Sequence, residues 1–194
     1  MPCSRRIHDD GYGLLCVAGL DSSEVIRRLD GRAMTEDELL AHYDVEVDED
    51  WVPGADPDDW RWLDDVRDLL LIGVTDVPGG CVVSQPWGYQ PQTPLVGTLL
   101  SAGTVAYGLY ANPKSGNQGS IYRDGVPIAG DLHPGGPPWE TDDAGRVPLS
   151  YLYAHRAAMY SCGYVGLRPP DARCVTGPAD RWVLLPDRDY WMRR

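Results

Sequence analysis

The segment that decides the fold is LVGTLLSAGTVAYGLYANPKSGNQGSIYRDGVPIAGDLHP, residues 95–134. Its apolar beginning, closed by Gly103, predicts a short helix. Apolar and aromatic residues then predict a strand over residues 104–111, and a polar loop is predicted over residues 112–119. The triplet Arg123-Asp124-Gly125 predicts a tight turn between two further strands. The segment therefore predicts a helix followed by antiparallel strands.

Further strands are predicted on both sides of this segment. An apolar run after Asp-Asp-Gly predicts a strand over Tyr12–Ala18. The run LLLIGVT, residues 69–75, predicts a buried strand, and the turn Pro78-Gly79-Gly80 joins it to CVVSQP in a hairpin. A last strand is predicted over residues 181–185.

Short helices are predicted from capping residues. Asp21 with Glu24 forms a capping box that predicts a helix over residues 22–29, ended by Gly31. Thr35 with Glu38 repeats the box for a second helix. A threonine and proline at positions 93–94 predict a third helix start, and a fourth helix is predicted over residues 148–162.

This mixture of hairpins and short helices predicts an α+β fold, a mainly antiparallel sheet with short helices packed on it. The 194 residues contain no internal repeat and no disordered linker, so we expect a single domain over residues 1–194. An acidic insert or loop is expected at about residues 36–65, where thirteen acidic residues accompany one base, Arg61.

The charge of the chain restricts its partners. The net charge is -12, and a field of that sign repels phosphate backbones, so nucleic acid is an unfavourable partner. The acidic segment is either a solvated face or a surface for a basic partner. On the second interpretation, the interaction surface includes Asp56, Asp58, Asp59 and Trp60.

Composition also bears on compartment and cofactors. No run approaches the ~20 apolar residues of a membrane helix, and the first residues do not resemble a signal peptide. The five cysteines are scattered without metal-ligand spacing, which favours a reducing cytoplasm and thiols that serve as small core residues. We therefore expect no cofactor and no metal, and the oligomeric state is left open.

The polar loop at residues 112–119 is the best candidate for ligand binding. Its glycines allow close approach of a ligand, Asn117 and Gln118 offer donors and acceptors, and Lys114 is the only lysine. The loop lacks the phosphate-binding pattern Gly-x-x-x-x-Gly-Lys-Ser/Thr. The same residue types also serve simply to turn the chain.

Asp131 and His133 form the weak candidate for catalysis. Two residues apart on a strand, they would share a face, and a carboxylate can orient an imidazole as in hydrolase dyads. No nucleophile is marked, since the Gly-x-Ser-x-Gly elbow is absent. Pro134 follows directly, so the pair can equally serve to fix a turn. Near the end of the chain, Tyr190 and Trp191 either clip the tail onto the body or anchor a partner.

Three blocks of sequence resemble an uncharacterised family of actinobacterial proteins, domain of unknown function 6461. The blocks are LLCVAGLDSSEVIRRL, GGCVVSQPWGYQ and LLSAGTVAYGLYANPKSGNQGSIYRDGVPIAGDLHP. The chain departs from the family pattern in its acidic insert and in its Pro/Gly-rich connector. The resemblance implies a cytoplasmic protein from a GC-rich genome, and it supplies no established catalytic residues.

Two hypotheses follow. The first is a non-enzymatic cytoplasmic protein-binding module, immunity or antitoxin-like, with a basic protein as partner. The alternative is a small-molecule-binding protein or hydrolase-like enzyme. Its pocket would lie between the 112–119 loop and the Asp131/His133 pair.

Overall fold

The computed structural model describes residues 11–42, 70–86, 88–112, 116–132 and 156–192. These residues form one eight-stranded sheet in which every neighbouring pair of strands is antiparallel. The strands are β1 Tyr12–Ala18, β2 Arg32–Met34, β3 Leu71–Val77, β4 Gly80–Pro86, β5 Val105–Asn112, β6 Gly116–Arg123, β7 Val126–Leu132 and β8 Arg181–Leu184. Their order across the sheet is β2-β8-β3-β4-β1-β5-β6-β7.

Five short α-helices accompany the sheet within the described ranges. They are α1 Ser22–Leu29, α2 Glu36–His42, α3 Pro94–Leu100, α4 Arg156–Tyr164 and α5 Arg173–Thr176. The predicted α+β fold, a mainly antiparallel sheet with short helices packed on it, is confirmed. None of the helices described is long and apolar enough to cross a membrane.

Strand β1 lies at the centre of the sheet and is buried on both faces. It pairs with β4 on one edge and with β5 on the other, and Leu14, Leu15, Cys16 and Val17 have no exposed surface. Leu15 and Val17 face a core that α1 and α3 cover, whereas Leu14 and Cys16 face a core that α4 and α5 cover. A strand with two covered faces needs a continuous apolar run, which is what the sequence has here.

The predicted turn at Asp124-Gly125 is confirmed and is fastened to the end of α3. Asp124 and Gly125 have φ angles of 51° and 79°, as a two-residue hairpin turn of type I′ requires. The Asp124 amide donates to the Thr104 carbonyl at 2.9 Å, and the Gly125 amide donates to the Ser101 carbonyl at 3.2 Å. The β6–β7 hairpin is thereby held to the segment that links α3 with β5.

The predicted capping box of Thr35 and Glu38 forms in both directions, since the Glu38 amide donates to Thr35 Oγ1 at 3.2 Å and the Thr35 amide donates to Glu38 Oε2 at 2.7 Å. At the other predicted box Asp21 accepts from the Glu24 amide at 2.8 Å, but the Glu24 carboxylate accepts from Arg27 and Arg28. The predicted stop at Gly31 falls one residue late, because Asp30 already adopts the left-handed conformation that ends α1. Gly31 has a packing role instead, since a Cβ there would lie 2.5 Å from Val183 Cγ1.

The predicted loop over residues 112–119 is too long. Pairing of β5 with β6 continues to Asn112 opposite Gly116, so that Asn117 and Gln118 belong to a strand. Their backbone groups join the ladder, which leaves only residues 113–115, outside the described ranges, to make the connection. The polar composition of this stretch reflects a partly exposed strand end rather than a long loop.

Other predictions fall partly outside the described residues. Helix α4 runs through Tyr164, two residues beyond its predicted end, and its predicted start at Pro148 lies outside. Helix α2 is the one described part of the acidic segment at residues 36–65. Within the connector predicted before β8, residues 173–176 form the short helix α5.

Arg28 ties α1 to the carboxyl end of α3. Its Nη1 donates to the carbonyls of Leu99, Leu100 and Ala102 at 3.4, 3.2 and 2.7 Å. These carbonyls lie at a helix end, where they lack partners within the helix and attract positive charge. Its Nε donates to Glu24, and hydrogen bonds from Arg27 and Arg28 lower the pKa of Glu24 to about 2.

Replacement of Arg28 by methionine is expected to lower the free energy of unfolding by about 1–2 kcal/mol, because the α3 carbonyls lose a charged donor. Arg27→Met is the matched control. Arg27 also pairs with Glu24 but is 70% exposed, so its loss is expected to cost at most about 0.5 kcal/mol. Urea unfolding of both variants measures the difference. Equal destabilisation would show that Arg28 contributes only through its pairing with Glu24.

Candidate functional site

A row of side chains crosses four strands near the beginning of β1. Gly13 lies opposite Gln85 of β4 and opposite Tyr110 of β5, and Tyr110 lies opposite Gln118 of β6. Residues directly opposite one another in a sheet point to the same face. The row therefore places two amides and a phenol on the face that carries α1 and α3.

Glycine at position 13 allows a loop to lie directly on this row. A Cβ at Gly13 would be 2.6 Å from the Gly88 carbonyl oxygen and 3.2 Å from Pro91 Cδ. The segment 88–93, which includes the 3₁₀ helix Gln90–Gln92, thus approaches the sheet backbone closely. Gln92 fixes the far end of this segment, because its Nε2 donates to the Gln118 carbonyl at 2.9 Å.

Gln85 anchors the near end of the same segment. Its side-chain Nε2 donates to the Leu71 carbonyl at 2.8 Å, and its Oε1 accepts from the Gln90 amide at 2.9 Å. The residue is only 4% exposed, so both hydrogen bonds are shielded from water. Gln85 therefore joins β3, β4 and the loop at a single buried amide.

The loop presents Tyr89 to two further aromatic rings. Tyr89 contacts Tyr110 edge-to-face, with ring centroids 4.9 Å apart, and stacks on Trp191 with centroids 5.3 Å apart and an interplanar angle of 12°. Asn112 Nδ2 donates to the Tyr110 hydroxyl at 2.9 Å. We call Tyr89, Tyr110, Asn112, Gln118 and Trp191 the aromatic platform.

Trp191 is exposed and yet held in place by its neighbours. Trp191 is 63% exposed, whereas Tyr190 is 3% exposed and its carbonyl accepts from the Leu95 amide at 3.1 Å. The Trp191 amide donates to Asp189 Oδ1 at 2.8 Å. The sequence left open whether Tyr190 holds the tail against the body or contacts a partner. Its burial and its hydrogen bond with Leu95 show that Tyr190 holds the tail.

The tail that carries Trp191 contains charges of both signs. Asp187 and Asp189 are exposed, and Arg193 and Arg194 follow Trp191 in the sequence, outside the described residues. Arg188 turns inward, where its Nη2 donates to the Leu29 carbonyl at the end of α1 and its guanidinium lies 5.1 Å from the Tyr190 ring centroid. The Arg188 charge is thus directed towards a helix end, whereas the Asp189 carboxylate, which accepts from the Trp191 amide, remains exposed.

The structure places only some of the site residues predicted from sequence. Gln118 is an exposed member of the platform, and Asn117, its neighbour on β6, is half-buried. Asp131 belongs to β7, where its backbone alone is described. The others lie outside the described residues: Asp56, Asp58, Asp59, Trp60, Lys114 and His133.

The backbone brings the two halves of the predicted pocket towards each other. Gly119 near the start of β6 pairs with Leu132 at the end of β7. Residues 116–118 and 131–132 therefore occupy the same end of the β6–β7 hairpin. In the described part of the chain, no three His, Cys, Asp or Glu side chains are grouped so that they could hold a metal ion.

Sequence reasoning did not connect Tyr89, Tyr110 and Trp191, because they come from a turn, a strand and the tail. The aromatic-rich turn before α3 and the paired aromatics of the tail were visible, but their contact depends on tertiary packing.

Comparison of the chain with protein-family models, curated proteins and solved structures gives no match. The site is therefore interpreted from its own geometry.

Gln85→Leu is expected to lower the free energy of unfolding by about 2 kcal/mol or more, since it leaves the Leu71 carbonyl and the Gln90 amide without their buried partner. Urea unfolding measures the loss. Gln118→Leu, at an exposed position of the same row, is the control and is expected to change stability by less than about 0.5 kcal/mol. Similar values for the two variants would contradict the role given to Gln85.

Proposed function

We propose that this chain is a non-enzymatic, cytoplasmic protein-binding module, immunity or antitoxin-like, that recognises a basic protein. The observation that carries the proposal is Trp191, an exposed residue whose ring stacks on Tyr89 and whose amide is hydrogen-bonded to the Asp189 carboxylate. The relation to the family of domain of unknown function 6461 is part of the same proposal and is supported by the three sequence blocks. Within the described residues the cysteines are free and buried, which supports a reducing compartment.

The geometry of Trp191 favours binding over a purely structural role. A tryptophan that served only the fold would be expected to bury most of its surface, whereas Trp191 as a residue is 63% exposed. Stacking on Tyr89 and the hydrogen bond to Asp189 restrict its motion before any partner arrives. A preorganised ring loses little conformational entropy on binding, and tryptophan is enriched among residues that dominate binding energy.

The charge around Trp191 indicates what kind of partner fits. An arginine or lysine side chain can lie over an indole ring while carboxylates neutralise its charge. The exposed carboxylates Asp187 and Asp189 are proposed to take that second role, and the net charge of -12 attracts a basic protein from a distance. The acidic residues Asp56, Asp58 and Asp59, with Trp60, are proposed to bind the same basic partner.

The proposal is tested with a partner captured from native lysate, identified, purified and titrated against the wild-type chain. Trp191→Ala is expected to weaken binding by about 30-fold, as for a central interface tryptophan. Asp187→Asn is expected to slow association and to reduce its dependence on salt. The matched control is Ile128→Ala, since Ile128 is an exposed apolar residue, 51% accessible, on edge strand β7. A partner that binds Trp191→Ala as tightly as wild type contradicts the proposal.

A second candidate function is small-molecule binding at the open end of the β6–β7 hairpin. It is favoured by the pairing of Gly119 with Leu132, which brings the start of β6 towards the chain that continues to Asp131 and His133. Asn117 and Gln118 are consecutive on β6, so their side chains point to opposite faces and only one of them can line this pocket. Lys114, in the sequence between β5 and β6, is proposed to bind an anionic group of the small molecule. A hydrolase-like activity would use the Asp131/His133 pair.

A thermal-shift screen against nucleotides, sugars, amino acids and divalent metals tests this second candidate. A ligand present at one hundred times its dissociation constant is expected to add about 2.7 kcal/mol of stability. Lys114→Ala or His133→Ala is expected to abolish that shift. A flat screen, or a shift that persists in both variants, excludes this pocket and leaves the protein-binding proposal untouched.

A further inference from the structure

Three cysteines that are far apart in sequence meet beneath α4 and α5. Cys16 lies on β1, Cys162 on α4 and Cys174 on α5, and each is at most 2% exposed. The Sγ atoms of Cys16 and Cys162 are 3.6 Å apart, and Cys174 lies in the same buried core. Their scattered positions in the sequence do not predict this grouping, which the fold produces.

The three thiols are expected to react slowly while α4 and α5 remain packed on the sheet. Contact with Cys16, together with burial, raises the pKa of Cys162, and the hydrogen bond to Cys162, together with burial, raises the pKa of Cys174. The thiolate is the form that attacks oxidants, so a closed cluster reacts slowly. Reaction therefore requires α4 to lift from the sheet.

Helix α4 has to open locally for this reaction. Its buried side chains are small, namely Ala157, Ala158, Ser161 and Cys162, while Met159 and Tyr164 pack partly buried against the same core, with Tyr164 edge-to-face on Tyr107 at a ring-centroid distance of 5.2 Å. Folded proteins open such elements transiently, at a free-energy cost up to that of global unfolding, so the oxidation is expected to be slow. Reclosure then returns Cys162 to a position next to Cys16.

We propose that Cys16 and Cys162 form an oxidative modification site, in which a hydroperoxide converts the pair to a disulfide that fastens α4 to β1. The site lies on the face of the sheet opposite the aromatic platform, so it is independent of the proposed binding function. A disulfide needs its sulfurs to close to about 2 Å, which a small displacement of α4 and side-chain rotation supply.

The chemistry balances in two steps. The Cys162 thiolate attacks one oxygen of the hydroperoxide, the O–O bond breaks, and the departing oxygen leaves as hydroxide or alkoxide, while Cys162 becomes a sulfenic acid. On reclosure the Cys16 sulfur attacks the Cys162 sulfur, the S–O bond breaks, and water leaves with the Cys16 proton. Two thiols are oxidised by two electrons, and the hydroperoxide is reduced by two.

The test uses the reduced full-length chain treated with hydrogen peroxide, quenched with iodoacetamide and digested without reductant. The expected result is a cross-linked pair of peptides containing Cys16 and Cys162, lighter by two hydrogens than their sum. The thiols titrated after unfolding are expected to fall by two from the five present. The thermal midpoint is expected to rise and to return on reduction, since the disulfide closes a long loop.

Matched variants separate this pair from general oxidation. Cys81→Ala removes a buried cysteine from the core on the opposite face and is expected to leave the cross-link intact, whereas Cys162→Ser is expected to abolish it. Peptide mapping of the wild type needs no variant, so the proposal stays testable if Cys162→Ser fails to fold. It is overturned if Cys16 and Cys162 remain alkylatable after oxidation, or if Cys162 is linked to Cys174 instead.

Discussion

The structure depends on one constraint, the burial of β1 on both edges and both faces. Its backbone is hydrogen-bonded to β4 and β5, and its side chains divide alternately between two cores. If β1 shifted by one residue along its neighbours, the side chains that face one core would face the other, because side chains alternate between the two faces of a sheet. Position 13 shows the consequence, since only glycine there admits the loop that carries Tyr89.

Two arginines connect the helices that cover one face of the sheet with each other and with the tail. Arg28 of α1 donates to the carbonyls at the end of α3, and Arg188 donates to the last residue of α1. Helix ends carry unpaired carbonyls, so each guanidinium satisfies groups that a short helix cannot satisfy itself. The tail that carries Trp191 is thus fastened through Arg188 and Tyr190 to the same helices that cover the core.

Elements governed by local chemistry were predictable from sequence, and those governed by distant contacts were not. The capping boxes, the Asp124-Gly125 turn and the strand Tyr12–Ala18 depend on residues adjacent in the chain. The start of β6 at Gly116 depends on its register with β5, which a polar composition conceals. The contacts of Cys16 with Cys162 and of Tyr89 with Trp191 join residues that are far apart in the sequence, so their spacing does not predict them.

The order of the strands also governs when the sheet can be completed during synthesis. Strands β1 and β3–β7 can pair as each leaves the ribosome, but β8 lies between β2 and β3 and is made after all of them. Until β8 emerges, β2 lacks its partner strand and β3 presents an unpaired edge. For most of its synthesis the nascent chain therefore carries an open hydrogen-bonding edge beside a largely formed core, a state that invites intermolecular pairing and that chaperones would need to cover.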